Sequence, residues 1–129
     1  MNEIVTEWVD KAEGDFRTAE REVRVRNAPS HDSVCFHAQQ CAEKYLKAFL
    51  THCQIPFRPV HDLEVLLGLA VIVSPDLEII RGSLLLLNDY AVDIRYPGES
   101  ATSDEAQAAV KAMRIVRSLV RPKLGLPQR

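Results

Sequence analysis

Late in the chain the stretch "DYAVDIRYPGES", residues 89–100, brings Asp89, Tyr90, Asp93, Arg95 and Tyr96 close together. A guanidinium binds phosphate or carboxylate through a planar fork, and tyrosine rings stack on bases. The same residues also make a salt bridge and two half-buried tyrosines at a helix end, so their chemistry alone leaves both readings open. A second pair, Arg26 and His31 in "RNAPSH", combines the groups a metal-independent ribonuclease uses. Histidine moves the 2′-hydroxyl or leaving-group proton, and arginine stabilises the charge on phosphorus. The plainer reading is the end of one helix and the first turn of the next. A third group, in "FHAQQCAEKYLKA", is Gln39, Gln40, Glu43, Lys44 and Lys47. It is either a solvated face or a surface that hydrogen-bonds a partner helix or a nucleotide.

Other chemistries find little support. His31, His37, His52 and His61 form no HxxxH or HExxH pair, so no metal site is expected. Neither a glycine-rich phosphate loop nor a nucleophile elbow is present, and no cofactor is expected. A formal charge of −2 gives no global pull toward nucleic acid, so any such contact is a local patch. Cys35, Cys41 and Cys53 sit in an apolar pattern without CxxC spacing and read as buried free thiols. "MNEIVTEWVD" lacks the pattern of a secretory signal, and "LEVLLGLAVIV" is too short to span a bilayer. A cytoplasmic protein is the expectation, with no membrane contact.

The elements that must position these residues are helices. Val5, Trp8, Val9, Ala12, Phe16, Ala19 and Val23 recur at helical steps and predict a first helix from Glu3 to about Arg26. Ser30 caps a second helix whose apolar side holds Val34, Ala38, Cys41, Tyr45 and Phe49. Its opposite side carries His37, Gln40, Glu43, Lys44 and Lys47, with Glu43 and Lys47 at i, i+4. His61 or Asp62 caps a third, although Val71-Ile72-Val73 also suits a short strand. Ser74-Pro75 opens a fourth, with Leu77, Ile80, Leu84, Leu87 and Ala91 carrying it to Arg95. Thr102 and Glu105 form a capping box for the last helix, before the tail "RPKLGLPQR". The composition, 47% hydrophobic and 26% charged, suits one globular domain. The fold class is all-α, an up-and-down bundle of four to five helices.

"AEGDFRTAE", "CFHAQQCAEKYLKAFL", "HDLEVLL" and "YAVDIRYP", in this order, resemble the HEPN family (higher eukaryotes and prokaryotes nucleotide-binding domain) over nearly the whole chain. The resemblance implies a HEPN-like bundle at residues 1–122 with a short tail at 123–129. It further implies a homodimer, a nucleotide or RNA ligand and a minimal nucleotidyltransferase partner, as in toxin–antitoxin pairs. Many members cleave RNA with a late arginine separated from a histidine by four to six residues, the motif forming across the dimer interface. Here Arg95 is followed by no histidine, and none occurs beyond His61. The resemblance therefore points to a non-catalytic binding surface of Arg95, Tyr96, Tyr90, Lys44, Lys47, Glu43 and Gln40. His61 and Asp62 carry over as shared positions suited to capping. An RNase toxin using Arg26 and His31, and a purely structural interaction domain, are the competing readings. The apolar excess of "LLGLAVIV" favours a dimer.

Overall fold

The computed structural model describes residues 1–92 and 96–129. Asp93, Ile94 and Arg95 lie outside the described residues, so the Arg95 expectation has no structural counterpart. The described residues form five α-helices: α1 (Glu3–Glu22), α2 (His31–His52), α3 (Leu63–Val73), α4 (Arg81–Leu87) and α5 (Ser103–Lys123). Short 3₁₀ turns at Pro75–Ile80 and Asn88–Tyr90 flank α4, and there is no strand among the described residues. None of the described helices is long and apolar enough to cross a membrane.

Helix α2 is the centre of the bundle, packed by α1 on one side, α5 on another, and α3 and α4 beyond. Its side chains from Cys41 to Leu50 are buried except Lys44, which is half-buried. The Ser30 hydroxyl accepts from Ser33 N at 3.2 Å and starts the helix as expected. Helix α1 begins on Asn2, whose Oδ1 accepts from Val5 N at 2.8 Å. It ends at Glu22, four residues before the expected stop. Pro29 disfavours helix at Ala28, which takes φ 54°, and the Glu22 carboxylate turns back to accept from Ser30 N at 2.8 Å.

Val71-Ile72-Val73 is helical, because Leu66, Leu67 and Ala70 bury at helical spacing just before it. Asp62, rather than His61, is the α3 cap. Ser74-Pro75 opens a 3₁₀ turn rather than an α-helix, and the Ser74 hydroxyl donates to Asp76 Oδ1 at 2.5 Å instead of capping a backbone N–H. Helix α4 then stops at Leu87 instead of running to Arg95. Asn88 is drawn to the start of α3, where its Oδ1 accepts from Leu63 N at 2.8 Å and its Nδ2 donates to Asp62 at 3.0 Å.

The capping box at α5 forms as read, with Thr102 Oγ1 and Glu105 Oε1 each accepting a backbone N–H at 3.1 Å. Helix α5 runs to Lys123, and Leu124 is buried. Pro122 offers no N–H to the Ser118 carbonyl four residues back, and Gln128 Nε2 donates there at 3.4 Å. The tail is thus folded against the helix, with Gly125 at φ 78° making the turn.

Candidate functional site

The polar stripe of α2 divides into separate clusters. On one side, Glu43 is buried with Lys47 Nζ at 2.9 Å from Oε2 and Gln39 Nε2 at 3.1 Å from Oε1. Gln39 Nε2 also reaches the His61 carbonyl at 3.2 Å, and Gln40 Nε2 donates to Gln39 Oε1 at 2.7 Å. His61 Nδ1 lies 3.1 Å from both Glu43 oxygens, from a ring whose side chain is 64% exposed. Lys47 stands 5.6 Å from the Trp8 ring centroid, a cation–π contact. The loop before α3 covers a stripe that periodicity alone would leave in water. Buried charges of this kind persist only when paired and hydrogen-bonded, as these are.

Lys44 and His37, two helical turns apart, converge instead on Asp15 of α1. Lys44 Nζ is 2.6 Å from Oδ2 and His37 Nδ1 is 2.7 Å from Oδ1. Both therefore pair with a carboxylate of α1, whereas Glu43 is held by Lys47, Gln39 and His61.

A third cluster joins α1, α2 and α5. Glu13 forms a bidentate pair with Arg117 at 2.8 and 2.8 Å and accepts from the Tyr45 hydroxyl, while Arg121 Nη1 donates to Tyr45 Oη at 2.9 Å. Burial would raise the Glu13 carboxyl, but hydrogen bonds from Arg117 and Tyr45 and the two guanidinium charges outweigh it and hold it below its ordinary value. Burial, and then the hydrogen bond to Glu13, push the Tyr45 hydroxyl above its ordinary range, so it stays a donor. Burial, with Glu13 and Asp15 nearby, also pushes up the Cys41 thiol and makes it unreactive.

The opening stretch borders a polar cavity of about 230 Å³ lined by Asp89, Tyr90, Glu99, Ser100, Ala101 and Glu105. Tyr90 donates to Glu105 Oε2 at 2.9 Å. Tyr96 is 73% exposed, and its carbonyl accepts from Glu99 N at 2.9 Å, closing the turn that carries Glu99 to the cavity. Asp32, in the first turn of α2, accepts from Ala101 N at 2.7 Å and fixes that rim. Asp32 and Lys44 are twelve residues apart on one helix, about 18 Å by helical rise. The structure thus puts Tyr90 on the cavity wall and Tyr96, exposed, at the start of the turn that leads to Glu99, and places Lys44 and Lys47 elsewhere on α2, each on its own carboxylate.

Arg26 is exposed beyond the end of α1, and His31 is half-buried at the start of α2, on the two sides of the loop that Glu22 clamps. Among the described residues no three His, Cys, Asp or Glu side chains gather as for a metal ion.

Sequence reading passed over Glu13, Asp15, Arg117 and Arg121. The signal for Asp15 was present: it falls in register with Ala12 and Ala19 on the buried stripe of α1. A carboxylate in an apolar register needs a partner, and Arg121 beside Val120 on the buried face of α5 raises the same demand.

A model of the HEPN domain family matches residues 5–123. Among solved structures, an archaeal HEPN homologue, ST0689, is 23% identical over 93% of this chain and 97% of its own, with a TM-score of 0.75. TT1696 from Thermus thermophilus is 24% identical over 92% of this chain and 97% of its own, with a TM-score of 0.74. These likenesses show a shared fold. No curated protein matches the chain.

Proposed function

The chain belongs to the HEPN domain family, and on that premise we propose that it is a cytoplasmic nucleotide- or RNA-binding module. In this reading it acts as a homodimer with a nucleotidyltransferase partner, in a system of the toxin–antitoxin type. The observation that carries the binding reading is the cavity lined by Asp89, Tyr90, Glu99 and Glu105, with exposed Tyr96 opening the turn that leads to Glu99. Carboxylates at Asp89 and Glu99 suit base amino groups and ribose hydroxyls as donors, while the tyrosine rings offer stacking faces. Arg95 supplies the phosphate contact. Gln40, whose amide is bonded to Gln39, and Glu43, Lys44 and Lys47, each bonded to its own partner, support α2 in this reading.

The positions separated from Arg95 by four to six residues are Ser100, Ala101 and Thr102. Thr102 is committed to the α5 cap and the Ala101 N–H to Asp32. A binding role therefore fits this rim better than proton transfer does. The test is fluorescence anisotropy with labelled RNA and with nucleotides. Tyr96→Ala should weaken binding about tenfold, given roughly 1–3 kcal/mol per stacked base, with helical circular dichroism unchanged. Equal affinity in wild type and in Tyr90→Ala, Tyr96→Ala and Arg95→Ala would remove the cavity and this stretch from the reading.

A second reading, an RNase using Arg26 and His31, rests on the clamp from Glu22 to Ser30, which holds the two residues at one loop. Chelator-resistant RNA cleavage that disappears in His31→Ala would establish it, and intact RNA would dismiss it.

A further inference from the structure

Between α2 and α3 the segment 53–62 builds one wall of an apolar groove. Gln54, at φ 59°, turns the chain out of α2, and Ile55 N donates to the Leu50 carbonyl at 2.8 Å. Pro56 and Pro59 fix two of the φ angles that follow, and Val60 N donates to the Arg58 carbonyl at 2.7 Å, closing a tight turn. The Phe57 ring packs on Trp8 of α1 with centroids 6.5 Å apart, and Gln39 holds the His61 carbonyl at 3.2 Å. The wall is anchored at both ends and in its middle, so little ordering is left for a ligand to impose.

Val65 and Leu69 of α3 form the facing wall, and with Pro56, Phe57, Arg58 and Val60 they border a volume of about 440 Å³. That is the size of a small-molecule site, where an apolar lining gives affinity and a few polar groups fix orientation. From Val65 to Leu69 is one helical turn, about 6 Å, whereas a docked helix needs anchors from i to i+7, about 10 Å. The groove therefore suits a compact ligand better than a partner helix. Its charge is equally specific. Arg58 is the one charged residue of the lining, is exposed, and has no ion-pair partner among the described residues. A guanidinium beside apolar walls complements a carboxylate on an apolar body.

We propose that this groove binds a small apolar carboxylate, its hydrocarbon part between Phe57, Val60, Val65 and Leu69 and its carboxylate forked on Arg58. No lining residue is shared with the cavity at Tyr90, so this site is independent of the nucleotide reading.

Calorimetric titration of the full chain with decanoate, below its micellar concentration, tests it. Trp8 is the one tryptophan of the chain and packs on Phe57, so its emission gives a local readout. Wild type should bind one decanoate, shift the Trp8 emission, and bind octanoate about tenfold less tightly for its two fewer buried methylenes. Decanol, with the same tail and no charge, should bind at least tenfold more weakly than decanoate. Arg58→Gln should weaken decanoate at least tenfold and leave decanol unchanged, and Arg58→Lys should recover part of the loss. Val65→Glu, at a position 50% exposed, should abolish decanoate binding with helical circular dichroism intact. Decanol binding as tightly as decanoate, or Arg58→Gln without effect, overturns the carboxylate. Decanoate binding that survives Val65→Glu overturns the groove. No bound decanoate and no emission change overturn the site altogether, and a wild-type dimer that Val65→Glu then dissociates would give the groove to a second copy instead.

Discussion

Glu13 and Glu43 are both glutamates drawn out of solvent against α2, and their surroundings differ in kind. Glu13 is gripped by Arg117, with Tyr45 and Arg121 completing the group, so that three helices meet on one carboxylate. Glu43 is deeper, yet its partners Lys47 and Gln39 come from its own helix, and His61 reaches it from an exposed loop. The first cluster ties distant parts of the chain together, and Arg121 and Arg117 extend it to the Pro127 and Gln128 carbonyls of the tail. The second organises one face of α2 and fastens one loop. Residue types are alike in both; what separates them is how far along the chain the partners lie and whether the last one meets water.

Removing the carboxylate of the closed cluster should therefore have the largest effect. Glu13→Ala leaves two poorly exposed guanidinium groups without their counter-ion and should cost about 4 kcal/mol, in the range found when one partner of a buried pair is deleted. Urea unfolding followed by circular dichroism measures it. A loss under about 1 kcal/mol would mean that the pair behaves as a surface salt bridge, and the contrast with Glu43 would collapse.

Acid should reveal the same cluster. The Glu13 carboxyl is held below its unfolded value of 4.5, and Glu20, bound by Arg114, shifts the same way. A group whose pKa falls on folding stabilises the protein fully above its unfolded pKa and loses that contribution as pH drops through the folded value. Stability should thus hold from pH 7 to about 5 and decline below 4.5, and the decline should be shallower in Glu13→Gln. Thermal melts at stepped pH test this, and identical slopes for wild type and variant would remove Glu13 as a source of acid sensitivity.

Next in size is the Glu43 pair. Lys47→Met should cost about 3 kcal/mol, because Gln39 and His61 only partly compensate the buried carboxylate. Adding Glu43→Leu should recover at least half of that loss, since a buried ion pair is often replaceable by apolar residues of similar size. No such recovery is expected when Arg117→Met is added to Glu13→Ala, because the Tyr45 hydroxyl has lost its acceptor and Arg121 its counter-ion. Equal recovery in the two double variants would make the clusters equivalent.

These contrasts also explain what could be read in advance. The Ser30 cap and the Thr102–Glu105 box were legible because each is settled within four residues of chain. The i, i+4 pairing of Glu43 and Lys47 was legible for the same reason, but their burial was not, since it depends on the loop that brings His61 across them. The ends of α1 and α4 were misplaced because side chains elsewhere intercept the backbone: Glu22 takes Ser30 N, and Asn88 takes Leu63 N. Glu13 went unnoticed because its partner Arg117 is 104 positions away, and no local pattern encodes such a pairing. Of the candidate site, the residue types at Tyr90 and Tyr96 were visible in sequence, whereas the acidic wall from Glu99 to Glu105 required the fold.

The smallest effect is expected at His61, and it is the sharpest check on the exposed character of the second cluster. The His61 side chain is 64% exposed, so water already competes with Glu43 for its Nδ1. Exposed ion pairs contribute roughly 0–1 kcal/mol, and His61→Ala should change urea stability by no more than about 0.5 kcal/mol. Glu43 keeps Lys47 and Gln39, and Gln39 keeps the residue-61 carbonyl, which belongs to the backbone and survives the substitution. What His61→Ala should alter is the loop: hydrogen exchange at residues 55–62 should quicken while the amides of α2 stay protected. A loss above about 1.5 kcal/mol, beyond what an exposed pair supplies, would show that Glu43 depends on His61 as Glu13 depends on Arg117, and the two clusters would then be variants of one device.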